Sequence, residues 1–223
     1  MKRLTSASSF SVIFSVVLFL LILLGSPVSF SADAKAEFSP DEVVAELKSK
    51  LSLNDQQVKG LTAALAELGE NLDALISKQE TAKKKDDPTE FIKGVKQAQA
   101  DYQKKLKGIL DSKQLESYNA LKESAIMDML KDLAEIKLLD IQPEIGFSDE
   151  QLEQLAPVMA ESMQGFMKTA WEHAGKRLRM RQKIKVAKIL KRIQSNAKQQ
   201  VQKILTSKQY QIWEELKKQQ QVK

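Results

Sequence analysis

The stretch Leu205-Thr206-Ser207-Lys208-Gln209-Tyr210 joins an apolar residue, a helix-capping residue, two polar residues, Gln and a second apolar residue. In such a phrase the capping side chain accepts a hydrogen bond from an orphan N–H of the first helical turn, and the Gln bonds back to the cap. The same form recurs at 53–58 (LNDQQV), 110–115 (LDSKQL) and 147–152 (FSDEQL). The four caps and their glutamines are Asn54 and Gln57, Asp111 and Gln114, Ser148 and Gln151, and Thr206 and Gln209. A fifth variant at 38–43 (FSPDEV) has Pro at the first helical position and Glu instead of Gln. The sequence therefore predicts five helix starts.

The copies come in pairs, which indicates a duplication. Asn54 corresponds to Ser148 after 94 residues, and Leu110 corresponds to Leu205 after 95. The aromatic and Leu positions that follow the second copy recur as well: Tyr118 and Leu121 return as Trp213 and Leu216. This pattern predicts an all-α fold of two tandem antiparallel helical-hairpin units, related by an internal repeat of about 94–95 residues. The expected domains are 32–139 and 140–223.

Apolar residues three and four positions apart predict the helices of each unit. The predicted faces of the first unit are Val58, Leu61, Leu65, Leu68, Leu72 and Leu75 on the outgoing helix and Phe91, Val95, Ala98, Tyr102, Leu106 and Ile109 on the return helix; those of the second unit are Leu152, Leu155, Met159 and Phe166, then Val186, Leu190, Ile193, Ala197, Val201 and Ile204. In the first unit, an outgoing helix is interrupted at 83–86 and a return helix restarts at Asp87-Pro88. A third helix is expected from Ser112 to near Leu139, since Pro143 and Gly146 break the pattern. In the second unit, two interpretations stay open: a hairpin turn near 175–183, or one long bent helix.

The first 31 residues have the pattern of a secretory signal peptide. Lys2 and Arg3 precede an apolar run at 12–24, and two small-x-small sites follow at 29–31 (SFS) and 32–34 (ADA). An uncleaved anchor is the alternative, but the run is shorter than a bilayer span needs. Removing the signal lowers the formal charge from +6 to +4. The chain has no Cys, which excludes a lipoprotein anchor and disulfides. We therefore expect a periplasmic protein held together by packing alone.

The Leu-Thr-x-x-Gln phrase at helix starts, in a Cys-free helical chain behind a signal sequence, resembles the Spy/CpxP family of bacterial periplasmic proteins. Residues 205–209 match the phrase fully, whereas Asn54, Asp111 and Ser148 replace its Thr with other capping residues. The resemblance implies small helical hairpins that dimerise into a cradle and act as ATP-independent chaperones or as stress-response modulators. The tandem units look like such a dimer fused in one chain, so a monomer with a pseudo-dimeric repeat and a homodimer both stay open.

Two features of the second unit are candidates for binding. No acidic residue lies between His173 and Trp213, whereas the basic residues there are Lys176, Arg177, Arg179, Arg181, Lys183, Lys185, Lys188, Lys191, Arg192, Lys198, Lys203 and Lys208. The functional interpretation is a surface that attracts anionic partners. The alternative is a solvated helix face balanced by acids of the antiparallel helix, such as Glu150, Glu153, Glu161 and Glu172.

The second feature is a stripe of methionines with two aromatic residues. Met side chains are flexible and polarizable, so a partly exposed stripe suits the binding of varied apolar sequences. A plain core face is the other interpretation, and it is the commoner one for such spacing. Together with the basic segment, the predicted client-binding residues are Met159, Met163, Phe166, Met167, Trp171, Arg177, Arg179, Arg181 and Lys183.

The sequence offers no catalytic, metal or cofactor site. His173 is the only His, there is no Cys, and no Ser lies in a nucleophile motif. One His beside Glu172 supplies too few ligands for a metal ion. We expect a protein that binds unfolded or partly folded envelope proteins. Docking on a sensor protein and binding to an anionic membrane surface remain as alternatives, and nucleic acid is not an expected partner outside the cytoplasm.

Overall fold

The computed structural model describes residues 40–81 and 88–222, and all secondary structure within those ranges is helical. The all-α prediction is therefore confirmed. The signal sequence with its cleavage sites, the capping position Ser39, the interruption at 83–86 and the capping position Asp87 lie outside the described residues. The helices are α1 (Pro40–Leu51), α2 (Asp55–Thr81), α3 (Pro88–Ile109), α4 (Ser112–Ile145), α5 (Asp149–His173), α6 (Met180–Ile204) and α7 (Ser207–Val222).

The described chain packs into two compact units. Unit 1 holds the described residues up to Ile126 together with Ala174–Lys176, and unit 2 holds Met127–His173 and the described residues from Arg177 onward. The division falls inside α4, whereas the repeat placed the expected domain boundary between residues 139 and 140. Since α4 is a continuous helix, no loop or linker marks the boundary there.

The core of unit 1 is an antiparallel pair formed by α2 and α3. Gly60 near the start of α2 contacts Ile109 at the end of α3, and Gly94 early in α3 contacts Leu75 late in α2. A Cβ at Gly94 would lie 2.5 Å from a Leu75 methyl, so the absent side chain permits the close approach of the two helices. The buried side chains follow the predicted faces and are Leu61, Ala64, Leu65, Val95, Ala98, Tyr102, Leu106 and Leu110, joined by Val44, Leu51 and Leu53.

Unit 2 contains a second antiparallel pair, α5 and α6. Gly165 in the middle of α5 contacts Ile193 of α6. The chain turns between His173 and Met180, where Gly175 has a φ of +71°. A left-handed residue of this kind stops a helix, so the second unit has a hairpin turn and not one long bent helix. The unit's core contains Leu155, Ala156, Val158, Val201, Leu205 and Trp213, with Ala134, Leu138 and Ile145 from α4.

The predicted end of α4 near Leu139 is wrong, because the helix continues through Pro143 to Ile145. Pro lacks an N–H, but a single missing bond near a helix end costs less than one in mid-helix. The helix ends instead at Gly146, whose φ is +70° and whose N–H donates to the Gln142 carbonyl at 2.7 Å. Of the two residues that the prediction named as helix breakers, Pro143 lies within the helix and Gly146 is the one that ends it.

Candidate functional site

The four helix starts with Gln form reciprocal capping hydrogen bonds. In unit 1, the Gln57 N–H donates to Asn54 Oδ1 at 2.8 Å, and the Asn54 N–H donates to Gln57 Oε1 at 3.1 Å. Asp111 and Gln114 make the same two bonds at 2.8 and 3.0 Å. In unit 2 the corresponding distances are 3.3 and 3.0 Å at Ser148–Gln151 and 3.4 and 3.0 Å at Thr206–Gln209.

The glutamines of each unit also bind one another, an arrangement that we call the amide clamp. In unit 1, Gln57 Nε2 donates to Gln114 Oε1 at 2.6 Å, and Gln114 Nε2 donates back to Gln57 Oε1 at 3.2 Å. In unit 2, Gln151 and Gln209 exchange the same pair of bonds, both at 3.1 Å. Two capping boxes that lie more than fifty residues apart in sequence are thus joined side by side in each unit.

The second hydrogen of each Nε2 binds the carbonyl at or just beyond the end of a helix. Gln57 donates to the Ile109 carbonyl at 3.0 Å and Gln114 to the Leu51 carbonyl at 3.2 Å. In unit 2 the acceptors are the carbonyls of Ile204, at 2.9 Å from Gln151, and of Gly146, at 2.8 Å from Gln209. Every donor and the acceptor oxygen of each amide is therefore used, and Glu could not replace Gln because it lacks the donors.

Sequence reasoning placed each Gln as the return partner of its own cap and missed the clamp. The use of Gln at all four positions could have indicated the clamp, because a capping box alone would accept Glu as well as Gln. All four clamped copies nevertheless have Gln. The amide clamp is a structural site, which satisfies polar groups at the base of each hairpin and has no reactive group.

A tyrosine pair lies in unit 1. The hydroxyls of Tyr102 and Tyr118 are 3.1 Å apart. Burial raises the pKa of Tyr102, and the charge and hydrogen bond of Tyr118 raise it further. Burial also raises the pKa of Tyr118, although its hydrogen bond with Tyr102 opposes the shift. Both hydroxyls are therefore held in the neutral form, which suits a structural contact.

The candidate binding surface lies on unit 2, at the turn and the first half of α6. Arg177, Arg179, Arg181 and Lys183 are all exposed. The sequence analysis left open that acids of α5 pair with these basic side chains. Within residues 40–81 and 88–222, no ion pair joins the acid-free stretch to Glu150, Glu153, Glu161 or Glu172. The ion pair that the stretch does form in that part of the chain runs from Lys198 to Glu214 of α7, at 3.2 Å.

The methionine stripe is half-buried. Met159 packs against the core of unit 2, which favours the core interpretation at that position. Met163, Met167 and Trp171 are intermediate in exposure, and Phe166 is 37% exposed. Most of the stripe therefore presents part of its surface to solvent on α5.

Sequence reasoning missed three exposed apolar side chains among the basic residues, of which Ile189 is 45% exposed. Met180 is 72% exposed and Ile184 is 49% exposed. They lie four residues apart on α6, away from the half-buried face of Val186, Leu190 and Ile193, on which Ile193 contacts Gly165 of α5. Their positions outside the apolar stripe of α6 could have indicated exposure, but counting the spacing of apolar residues does not use that information.

The described residues contain neither a group of three metal-ligating side chains nor a helix long and apolar enough to cross a membrane. Glu172 is exposed and His173 half-buried. No protein-family model matches the chain. No curated protein and no solved structure matches it either. The resemblance to the Spy/CpxP family therefore depends on the motif residues.

Proposed function

We propose that the protein is a periplasmic, ATP-independent chaperone-like protein that binds unfolded or partly folded envelope proteins. The binding surface would be the basic turn of unit 2 together with the partly exposed apolar side chains of α5. The observation that carries the proposal is the basic segment at 177–183, whose charged side chains form no ion pair with the described residues and which contains the exposed Met180.

The charge and the apolar groups would act at different steps of binding. Basic side chains without acidic neighbours attract anionic segments over a distance, which speeds encounter without selecting one sequence. Apolar contacts form afterwards and set how long the client stays, because most differences in affinity between related complexes lie in the dissociation rate. Phe166 and the half-buried Met163 and Met167 supply such contacts, and thioether side chains adapt to varied partners.

The experiment is an aggregation-suppression assay on the mature protein without nucleotide, with a panel of chemically unfolded acidic and basic clients. We expect suppression by the wild type, strongest for acidic clients. The test variant reverses Arg177, Arg179, Arg181 and Lys183 to Glu, and we expect it to lose most of that suppression.

The matched control reverses four exposed lysines of unit 1 that make no ion pair with any described residue, namely Lys59, Lys104, Lys113 and Lys122. It carries the same change of net charge and should still suppress aggregation. Failure of the wild type on every client would contradict the proposal and favour docking on one folded sensor protein. Equal loss in both variants would show that only net charge matters.

A further inference from the structure

Four basic side chains of α6 form a line along one side of the helix. Arg181, Lys185, Lys188 and Arg192 follow one another at steps of four, three and four residues, the spacing that keeps side chains on one helix face. All four are exposed, and no side chain among them forms an ion pair or a hydrogen bond with the described residues. We call these four residues the basic line. At a rise of about 1.5 Å per residue, the line is about 16 Å long.

Two exposed isoleucines flank the basic line. Ile184 is 49% exposed and lies three residues after the first member of the line and four before the third. Ile189 is 45% exposed and lies four residues after the second member and three before the last. Each isoleucine is therefore a one-turn neighbour of two basic side chains. Since the two isoleucines are five residues apart, they lie about 140° apart around the helix axis, and the basic line runs between them.

The charge along this side of α6 has one sign. The sequence has no Asp or Glu between His173 and Trp213, so no acid of α6 or of its flanking turns lies beside the basic line. Within the described residues, the ion pair of that stretch joins Lys198 to Glu214, and Lys198 lies six residues beyond the line. An anionic surface would therefore be attracted along the whole length of the basic line.

The order of charged and apolar groups on this side of α6 favours one kind of partner. A protein–protein interface has an apolar centre that is depleted of charge, with a polar rim around it. On α6 the cations lie in the middle and the apolar side chains lie at the two sides, which is the reverse order. A folded protein would have to bury the cations to reach both isoleucines, and buried charge is costly without well-placed acids. A phospholipid surface accepts this order, because its phosphates meet the cations while the long Lys and Arg stems let neighbouring apolar groups enter the layer beneath.

We infer that α6 binds an anionic phospholipid surface through the basic line, with Ile184 and Ile189 entering the boundary between headgroups and acyl chains. Each Lys or Arg close to an anionic leaflet adds to the attraction, so four in a row bind more strongly than one scattered basic residue does. The inference goes beyond the proposed binding of clients. The two surfaces share Arg181 alone, so each can fail without the other.

The test measures flotation of the mature protein, without any client, with vesicles of phosphatidylglycerol and phosphatidylcholine in about equal parts. We expect binding that weakens about tenfold or more between roughly 50 and 500 mM salt, and little binding to vesicles of phosphatidylcholine alone. Inorganic phosphate at matched ionic strength should not displace the protein, because the basic line engages several phosphates that are held together in one surface.

Three variants separate the contributions of position, net charge and apolar contact. Reversal of the basic line (Arg181→Glu, Lys185→Glu, Lys188→Glu, Arg192→Glu) should abolish flotation. The matched control reverses four exposed lysines of unit 1 (Lys59→Glu, Lys104→Glu, Lys113→Glu, Lys122→Glu), which changes the net charge equally and should leave most of the binding. A variant with Ile184→Ser and Ile189→Ser keeps every charge and should bind several-fold more weakly, because it loses the apolar contact. Circular dichroism checks that the helices persist in each variant.

Tryptophan fluorescence with brominated lipids reports which side of α6 enters the membrane. Ile184→Trp and Ile189→Trp should each add fluorescence that the bromine quenches. The control is Gln154→Trp, at an exposed position of α5, the helix that packs on the face of α6 that includes Ile193. Its added fluorescence should stay unquenched.

Several results would overturn the inference. They are a wild type that fails to float with anionic vesicles at low salt, a line reversal that floats like the wild type, and an equal loss of binding in the unit 1 control. Displacement by inorganic phosphate, or equal quenching at all three tryptophan positions, would overturn it as well. If the line reversal loses capture of an acidic client while the wild type does not bind vesicles, the basic line belongs to the client-binding surface instead.

Discussion

The amide clamp makes a sharp prediction for Gln57→Glu. The substitution keeps the shape and the oxygen that accepts the Asn54 N–H, but it removes both Nε2 donors. The carbonyl of Ile109 and Oε1 of Gln114, now at 3.0 and 2.6 Å from Nε2, would each lose a donor and face a carboxylate oxygen. Two lost bonds contribute about 1 kcal/mol each, and part-buried acceptors without partners add to the cost, so we expect about 2–4 kcal/mol of destabilisation.

The control is Gln56→Glu, one residue earlier. Gln56 is exposed, its side chain makes no hydrogen bond to the described residues, and it lies in the same first turn of α2. It carries an identical change of charge, which is slightly favourable near a helix N-terminus. Urea unfolding followed by far-ultraviolet circular dichroism compares the two, and we expect the control to remain within about 0.5 kcal/mol of the wild type.

The pH dependence of the free energy of unfolding provides a second test of the clamp. Carbonyl oxygens beside the introduced carboxyl favour its neutral form, so the pKa in the folded variant rises above the ordinary value of about 4.3. A raised folded pKa means that stability is retained at low pH and lost as pH rises through it. The excess cost of Gln57→Glu over Gln56→Glu should therefore shrink near pH 4. Equal costs for the two variants at neutral pH would refute the clamp.

Three further predictions concern the caps, the tyrosines and the methionines. Replacing a cap by Ala should cost about 1 kcal/mol in urea unfolding without removing any core contact, and costs equal to those of exposed mid-helix changes would disprove capping. The caps are Asn54, Asp111, Ser148 and Thr206. Because burial raises the pKa of Tyr102 and Tyr118, the free energy of unfolding should fall as pH rises above about 10. In a variant with Phe at both positions it should fall less, and an equal decrease with pH in the variant and the wild type would count against the pair. Changing Met163 and Met167 to Ser should speed client release in stopped-flow experiments with little effect on capture, and unchanged release would exclude them from the binding surface.

The helix starts were readable from sequence because capping depends on residues three positions apart. The prediction of where α4 ends was wrong, because the effect of a Pro depends on its position in the helix. Pro143 looked like a stop, yet near a helix end it removes only one bond, and Gly146 ends α4 instead. The unit boundary also falls inside α4, where no local sequence signal marks it.

The clamp and the exposed apolar residues required the fold. Gln57 and Gln114 meet only because α2 and α3 form a hairpin, and no spacing rule links residues that far apart. The apolar pattern identified the packing stripe of α6 at Val186, Leu190 and Ile193. It did not show that Met180 and Ile184 would remain uncovered, because exposure depends on what the other helices reach. The duplication itself stays a prediction, although both units carry the same clamp.

The most direct test of the proposed function is the rate at which the mature protein captures an acidic unfolded client, measured by stopped flow over a range of salt. We expect capture by the wild type to slow as salt rises, because attraction between charges is screened over roughly 8–10 Å at ordinary ionic strength. Reversing Arg177, Arg179, Arg181 and Lys183 to Glu should slow low-salt capture about tenfold and flatten the salt dependence, with helicity unchanged. If that variant captures the client as fast as the wild type at low salt, the basic segment is a solvated helix face and the proposed client binding is contradicted.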